Sequence, residues 1–123
     1  MTDSQKRVLI IEDERPLAHA LQLKLEHEGF AVQVAGNGRE GLALLGLQQF
    51  DIVLLDLIMP EVDGFQVLEH LKTLPAMPAV FVLSNLSQQE DEMRVLALGA
   101  RKFFIKSDTP LTKIIDEVRQ LQL

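Results

Sequence analysis

The chain has 123 residues, 47% of them apolar, no cysteine and a formal net charge of −6. That length suits one domain with one core, and the acidic balance, with no local basic patch, argues against direct binding to DNA, RNA or an anionic membrane surface. Without Cys there are no disulfides, thiolate metal sites or Cys nucleophiles, and the short apolar run between MTDSQKR and Glu12 cannot serve as a signal peptide or membrane span, so a cytoplasmic single domain over 1–123 is expected.

Five short apolar runs alternate with helical patterns: Val8–Ile11, Ala31–Ala35, Ile52–Leu55, Ala79–Leu83 and Phe103–Ile105. They are rich in Val, Ile, Leu or Phe and mostly lack polar alternation, as strands covered on both faces do. After the first, Pro16 suits an opening helical turn, Leu17, Leu21 and Leu25 recur every fourth residue, and Gly29 stops the helix. Asn37 with Glu40 opens the second, which turns Leu42 and Leu45 inward, with Leu44 an optional third. Asp63 with Gln66 opens the third, with Phe65, Leu68 and Leu71 as core contacts. Ser87 with Glu90 forms a capping box for the fourth, whose expected core stripe is Met93, Leu96 and Ala97. Val95 and Leu98 either widen that stripe or meet a partner. Thr109-Pro110 begins the fifth, which buries Leu111, Ile114, Ile115 and Val118. His19, His27 and His70 are scattered on helices and are read as surface residues.

Parallel strands need crossovers, and right-handed crossovers place helices on both sheet faces. The predicted fold is therefore α/β: a doubly wound five-stranded parallel sheet with five flanking helices. All its strands end on one edge, where ligands bind in open α/β sheets. The polar residues at those ends are Glu12-Asp13, Asp56, Ser84 and Lys106. With the order 2-1-3-4-5 of flavodoxin-like folds, the reversal point falls between Glu12-Asp13 and Asp56. Crowded carboxylates repel unless a cation joins them, and all-oxygen ligands suit a hard ion, Mg²⁺, with Mn²⁺ as a substitute. A carboxylate beside such an ion, a Lys and a hydroxyl is equipment for phosphoryl transfer.

The segments VLIIEDE, DIVLLDLIMPEVDG, AVFVLS and GARKFFIK, in that order, resemble a stand-alone, chemotaxis-type receiver domain of bacterial two-component response regulators over essentially the whole chain. The resemblance implies that Asp56 is the phosphoacceptor. It implies that Mg²⁺ is held by Asp13, by Glu12 largely through water, by Asp56 and by the Ile58 backbone carbonyl. Ser84 and Lys106 would bind the phosphoryl oxygens, and Ser84 with Phe103 would form the switch, with Phe104 in the core. A sensor histidine kinase or a histidine phosphotransfer protein would supply the phosphoryl group. The added charge would then shift the face made by the fourth helix, fifth strand and fifth helix, to be read by a downstream protein.

The chain departs from the family pattern in places. Ser107 follows Lys106 where Pro is usual, so that bond is trans, or cis at a cost of about 3 kcal/mol. Ser84 replaces Thr, Asn85 a small residue and Phe103 a Tyr. Ile58 and Leu86 are apolar where they would flank attacking water, which implies slow hydrolysis of the acyl phosphate. Two other readings remain: a degenerate receiver acting as an interaction module, and a Mg²⁺-dependent phosphatase of related fold. The second wants an acid where Ile58 stands, and a dinucleotide-binding fold wants a Gly-rich turn where IEDERP stands.

Overall fold

The apolar runs form strands because each can be buried on both faces at once. In the computed structural model, which describes residues 5–86 and 88–121, these strands are β1 (Arg7–Ile11), β2 (Ala31–Ala35), β3 (Ile52–Asp56), β4 (Ala79–Ser84) and β5 (Lys102–Ile105). All are parallel, in the order β2-β1-β3-β4-β5. Between and after them run α1 (Arg15–His27), α2 (Gly38–Leu47), α3 (Gly64–Lys72), α4 (Gln89–Ala97) and α5 (Leu111–Gln120), with a single 3₁₀ turn at Lys106–Asp108. This is the expected doubly wound α/β fold.

Alternate residues of the central strands feed two cores. Leu9, Ile11, Val53, Leu55, Val80 and Val82 pack under α2, α3 and α4. Val8, Ile10, Ile52, Leu54 and Phe81 face the other way, against Leu21 and Leu25 of α1 and Ile114, Ile115 and Val118 of α5. Each fully buried aliphatic side chain contributes about 1.5–3 kcal/mol relative to exposure. Every residue of β3 is buried, including its last, Asp56.

Local chemistry sets the helix ends. Asn37 Oδ1 accepts from the Glu40 N–H at 2.8 Å, and Asp63 with Gln66 makes a reciprocal capping box at 2.9 and 3.0 Å. Gly29 closes α1 at φ +97°, a conformation that favours a residue without Cβ. The capping box expected at Ser87 falls on a residue outside those described. The described N-cap of α4 is Gln88, whose side chain makes no capping bond.

The expected stripe of α4 is overturned. Met93 is 63% and Leu96 42% exposed, Ala97 is exposed, and the buried residue is Val95, with Leu98 partly buried beside it. The sequence offers two apolar pairs at the same spacing, Met93/Leu96 and Val95/Leu98, about 160° apart around the helix. Tertiary contacts choose between them. The Arg94 guanidinium sits 4.0 Å from the Phe65 ring centroid and 3.7 Å from Glu69 on α3, and the Ala100 N–H bonds the Val95 carbonyl as the chain turns into β5. Both hold the Val95 side against the sheet. His19, His27 and His70 are exposed, as read.

Candidate functional site

The strands deliver their terminal side chains to one edge. Glu12 follows β1 and is held there by its own N–H, which extends the ladder to the Ala35 carbonyl at 3.0 Å. Asp56 ends β3, Ser84 ends β4 and Lys106 follows β5. Register orders them laterally: Asp56 pairs with Leu83, and Ser84 with Ile105, so Ser84 lies between the strands that carry Asp56 and Lys106. Glu12, Asp56 and Ser84 are all buried, whereas Asp13 is exposed.

Glu12, Asp13 and Asp56 each place one carboxylate oxygen within 4.8 Å of the others. Lys106 Nζ joins the group from across the sheet, 2.9 Å from Glu12 Oε1 and 3.3 Å from Asp56 Oδ2. Asp56 Oδ1 accepts from the Ile58 N–H at 3.3 Å, and Ser84 Oγ accepts from the Leu86 N–H at 3.1 Å. Peptide bonds among the described residues are trans, Lys106–Ser107 included, and the 3₁₀ turn aims Lys106 inward without Pro. Ile58 turns its side chain outward, 54% exposed, and Leu86 is partly buried. Phe103 is half-buried in the same cluster as Leu86 and Leu98, while Phe104 is buried on the opposite face, 6.3 Å from Phe81. Gly64 is required here: a Cβ would stand 2.3 Å from the Asp56 carbonyl oxygen.

Burial dominates the electrostatics. It pushes the Glu12 carboxyl up to about 7, against the opposing hydrogen bonds from Lys106 and from the Glu14 N–H. It also raises Asp56, with Lys106 and the Ile58 N–H opposing and the Asp13 charge adding to the rise. For Lys106, burial works against the ammonium, but hydrogen bonds to Glu14 and Glu12 and the Glu12 and Asp56 charges outweigh it and move its pKa upward.

The residues fit a hard divalent cation. The donors are all oxygen, they converge, and their charge is under-compensated by one ammonium. Glu12 is the sharpest sign: its carboxylate is buried in the cluster, and the one ammonium facing it, Lys106 at 2.9 Å from Oε1, is shared with Asp56 and Glu14.

One participant was not legible as such. Glu14 Oε2 lies 2.6 Å from Lys106 Nζ, nearer than any other carboxylate. The only sequence signal is a third acid in the run Glu12-Asp13-Glu14, which reads equally well as a helix precap.

Comparisons with known proteins agree with this geometry. The family model for the response regulator receiver domain matches residues 8–119. The cell cycle response regulator CtrA of Brucella ovis is 37% identical over 100 residues, covering 81% of this chain. The chain spans 43% of the length of that relative. A Francisella response regulator receiver domain superposes with a TM-score of 0.86 at 27% identity, covering 94% of each chain. TrrA of Thermotoga maritima, solved in complex with Mg²⁺-BeF, superposes at 0.82 with 25% identity, covering 96% of this chain and all of that one. Among the described residues, no helix is long and apolar enough to cross a membrane. Five parallel strands that bring their acids, hydroxyl and lysine to one edge thus meet a family match spanning nearly every element, and the chain belongs to the response regulator receiver domains, modules of phosphorylation-based signalling that bind Mg²⁺ in an acidic pocket.

Proposed function

We propose that Asp56 accepts a phosphoryl group and that the chain is a phosphorylation-controlled switch. The observation that carries this reading is the meeting of Lys106 with Asp56 and Glu12, at 3.3 and 2.9 Å, beside the three-carboxylate cluster. Asp13, Glu12, Asp56 and the Ile58 carbonyl would hold Mg²⁺, with Mn²⁺ as a substitute. The bound ion would offset negative charge on the carboxylates and on the incoming group.

The chain's own residues supply the remaining chemistry. An Asp56 carboxylate oxygen attacks phosphorus and forms the acyl phosphate. The P–N bond of a phosphohistidine donor, or the P–O bond of a small donor, breaks with its electrons leaving on the donor atom. Burial favours the reaction because Asp56 is shielded from water that would otherwise solvate the attacking oxygen. Lys106 contributes a point charge to the phosphoryl oxygens, and the Ser84 hydroxyl donates a hydrogen bond. As Ser84 moves, Phe103, half-buried in the cluster below α4, repacks and shifts the α4–β5–α5 face toward a partner protein. A sensor histidine kinase or a histidine phosphotransfer protein is the proposed donor.

The test is incubation with Mg²⁺ and acetyl phosphate, read by intact mass. One phosphoryl group should be added in wild type and none in Asp56→Asn. Equal labelling of the two would overturn the assignment, and turnover of phosphate esters without labelling would favour a phosphatase.

A further inference from the structure

Lys106 serves three carboxylates, and the shortest contact is with a residue that the proposed chemistry leaves idle. Its ammonium lies 2.6 Å from Glu14 Oε2, 2.9 Å from Glu12 Oε1 and 3.3 Å from Asp56 Oδ2. Glu12 and Asp56 are buried and fixed by strand ends, whereas the Glu14 side chain is 55% exposed. Glu14 acts from both ends. Its N–H donates to Glu12 Oε2 at 3.0 Å, and its carboxylate takes Lys106.

The alternative employment for that carboxylate is local. Glu14 is the N-cap of α1, whose first turn holds no acidic residue, yet its side chain makes no capping bond there. A carboxylate at a helix N-cap finds both unpaired N–H groups and the positive end of the helix dipole. Here it reaches instead to a lysine 92 positions away in sequence. Among the described residues, Lys106 is the one partner of the Glu14 side chain. The contact is charge-assisted, but half exposed, so it is strong enough to direct the ammonium and weak enough to exchange. Once Lys106 leaves, Glu14 can swing onto the α1 N-terminus, which offsets part of the loss.

We infer that Glu14 is a positioning residue that draws Lys106 away from Asp56 and must surrender it before the ammonium can meet a phosphoryl group. Glu14 is thereby a brake on phosphoryl uptake, acting through Lys106 and not through the reacting atoms. The inference rests on the proposed role of Asp56 and Lys106 in phosphoryl transfer.

The experiment compares wild type with Glu14→Gln, after circular dichroism has checked that both are folded. The first readout needs neither metal nor phosphodonor: acetylation of Lys106 by an N-hydroxysuccinimide ester, mapped by peptide mass and divided by that of Lys113, whose side chain is 60% exposed. Lys106, only 10% exposed and still facing Glu12 and Asp56, loses its shortest ion pair in Glu14→Gln and should react about threefold faster relative to Lys113. The second readout is the initial rate of labelling by acetyl phosphate in saturating Mg²⁺, which should rise by a similar factor. An unchanged Lys106/Lys113 ratio overturns the inference whatever the labelling does. A raised ratio with unchanged or slower labelling shows that Glu14 holds Lys106 without restraining uptake, and overturns the brake. If no form is labelled, or Asp56→Asn labels normally, the phosphoacceptor reading itself fails and the brake falls with it, while the ratio still reports the Glu14 contact.

Discussion

α3 and α4 lie side by side on one face of the sheet, nine residues each, and are held by different means. α3 opens with a complete capping box and buries Gly64, Val67, Leu68 and Leu71. Its first residue packs against the Asp56 carbonyl and Leu57, leaving no room for a side chain between the helix start and the end of β3. α4 has no side-chain cap at Gln88 and buries Val95 alone. Its bonds to α3 run through partly exposed groups: Arg94 with Phe65 and Glu69, and Lys72 Nζ with the Ala97 carbonyl at 3.3 Å. Elements with few buried contacts and exposed hydrogen bonds open at the least cost. The contrast separates a rigid mount for the acidic pocket from a neighbour that can be repositioned, and the exposed Met93 and Leu96 ride on that neighbour.

The largest expected effect falls on the mount. In Gly64→Ala the new methyl meets backbone, 2.3 Å from the Asp56 oxygen and 2.6 Å from Leu57 Cα, which cannot rotate aside. A loss of about 3 kcal/mol or more in urea unfolding is expected, with reduced labelling of Asp56 among the folded molecules. A loss within ~0.5 kcal/mol would mean that α3 and β3 are not rigidly joined.

On α4 the expected effects are smaller and sharply divided. Val95→Ala removes fully buried methyls and should cost about 2 kcal/mol, from lost transfer energy and the cavity left behind. Met93→Ala and Leu96→Ala should each stay within ~0.5 kcal/mol. The reverse ranking would restore the stripe that the spacing alone suggested.

The gentlest effect is a slope with pH. In the metal-free fold burial pushes the Glu12 carboxyl up from 4.5 to about 7. Between those values the folded chain binds a proton that the unfolded chain does not, so this group's contribution is fully present below 4.5 and is lost as pH rises through about 7. Urea midpoints without metal should therefore carry a downward component from Glu12 across that window. Saturating Mg²⁺, which favours the charged carboxylate, should flatten it. A slope insensitive to Mg²⁺ would remove Glu12 from the cation site.

The same contrast explains what could be read from the residues alone. β1, β3 and β4 were legible because a strand covered on both faces must be apolar throughout, and the polar residue ending each run then stands out. Glu12, Asp56 and Ser84 stood out that way, Lys106 by following the shorter, half-covered run of β5, and the caps at Asn37 and Asp63 through their short-range partners Glu40 and Gln66. The face of α4 was not legible, because Met93/Leu96 and Val95/Leu98 have identical spacing and only contacts with Phe65, Glu69 and the β5 turn distinguish them. Glu14 was hidden for a related reason. Its partner is 92 residues away, and nothing in an acidic run says which acid will reach across the sheet.

In the proposed switch, phosphorylation occurs on Asp56 and nowhere else in the acidic cluster. Borohydride reduces an aspartyl phosphate to homoserine and so leaves a permanent mark on the residue that carried it. After labelling with acetyl phosphate and Mg²⁺, peptide sequencing by mass should find homoserine at position 56, with Asp13 intact. Homoserine at position 13, or an unmodified Asp56 in protein that carries label, would move the phosphoacceptor away from Asp56.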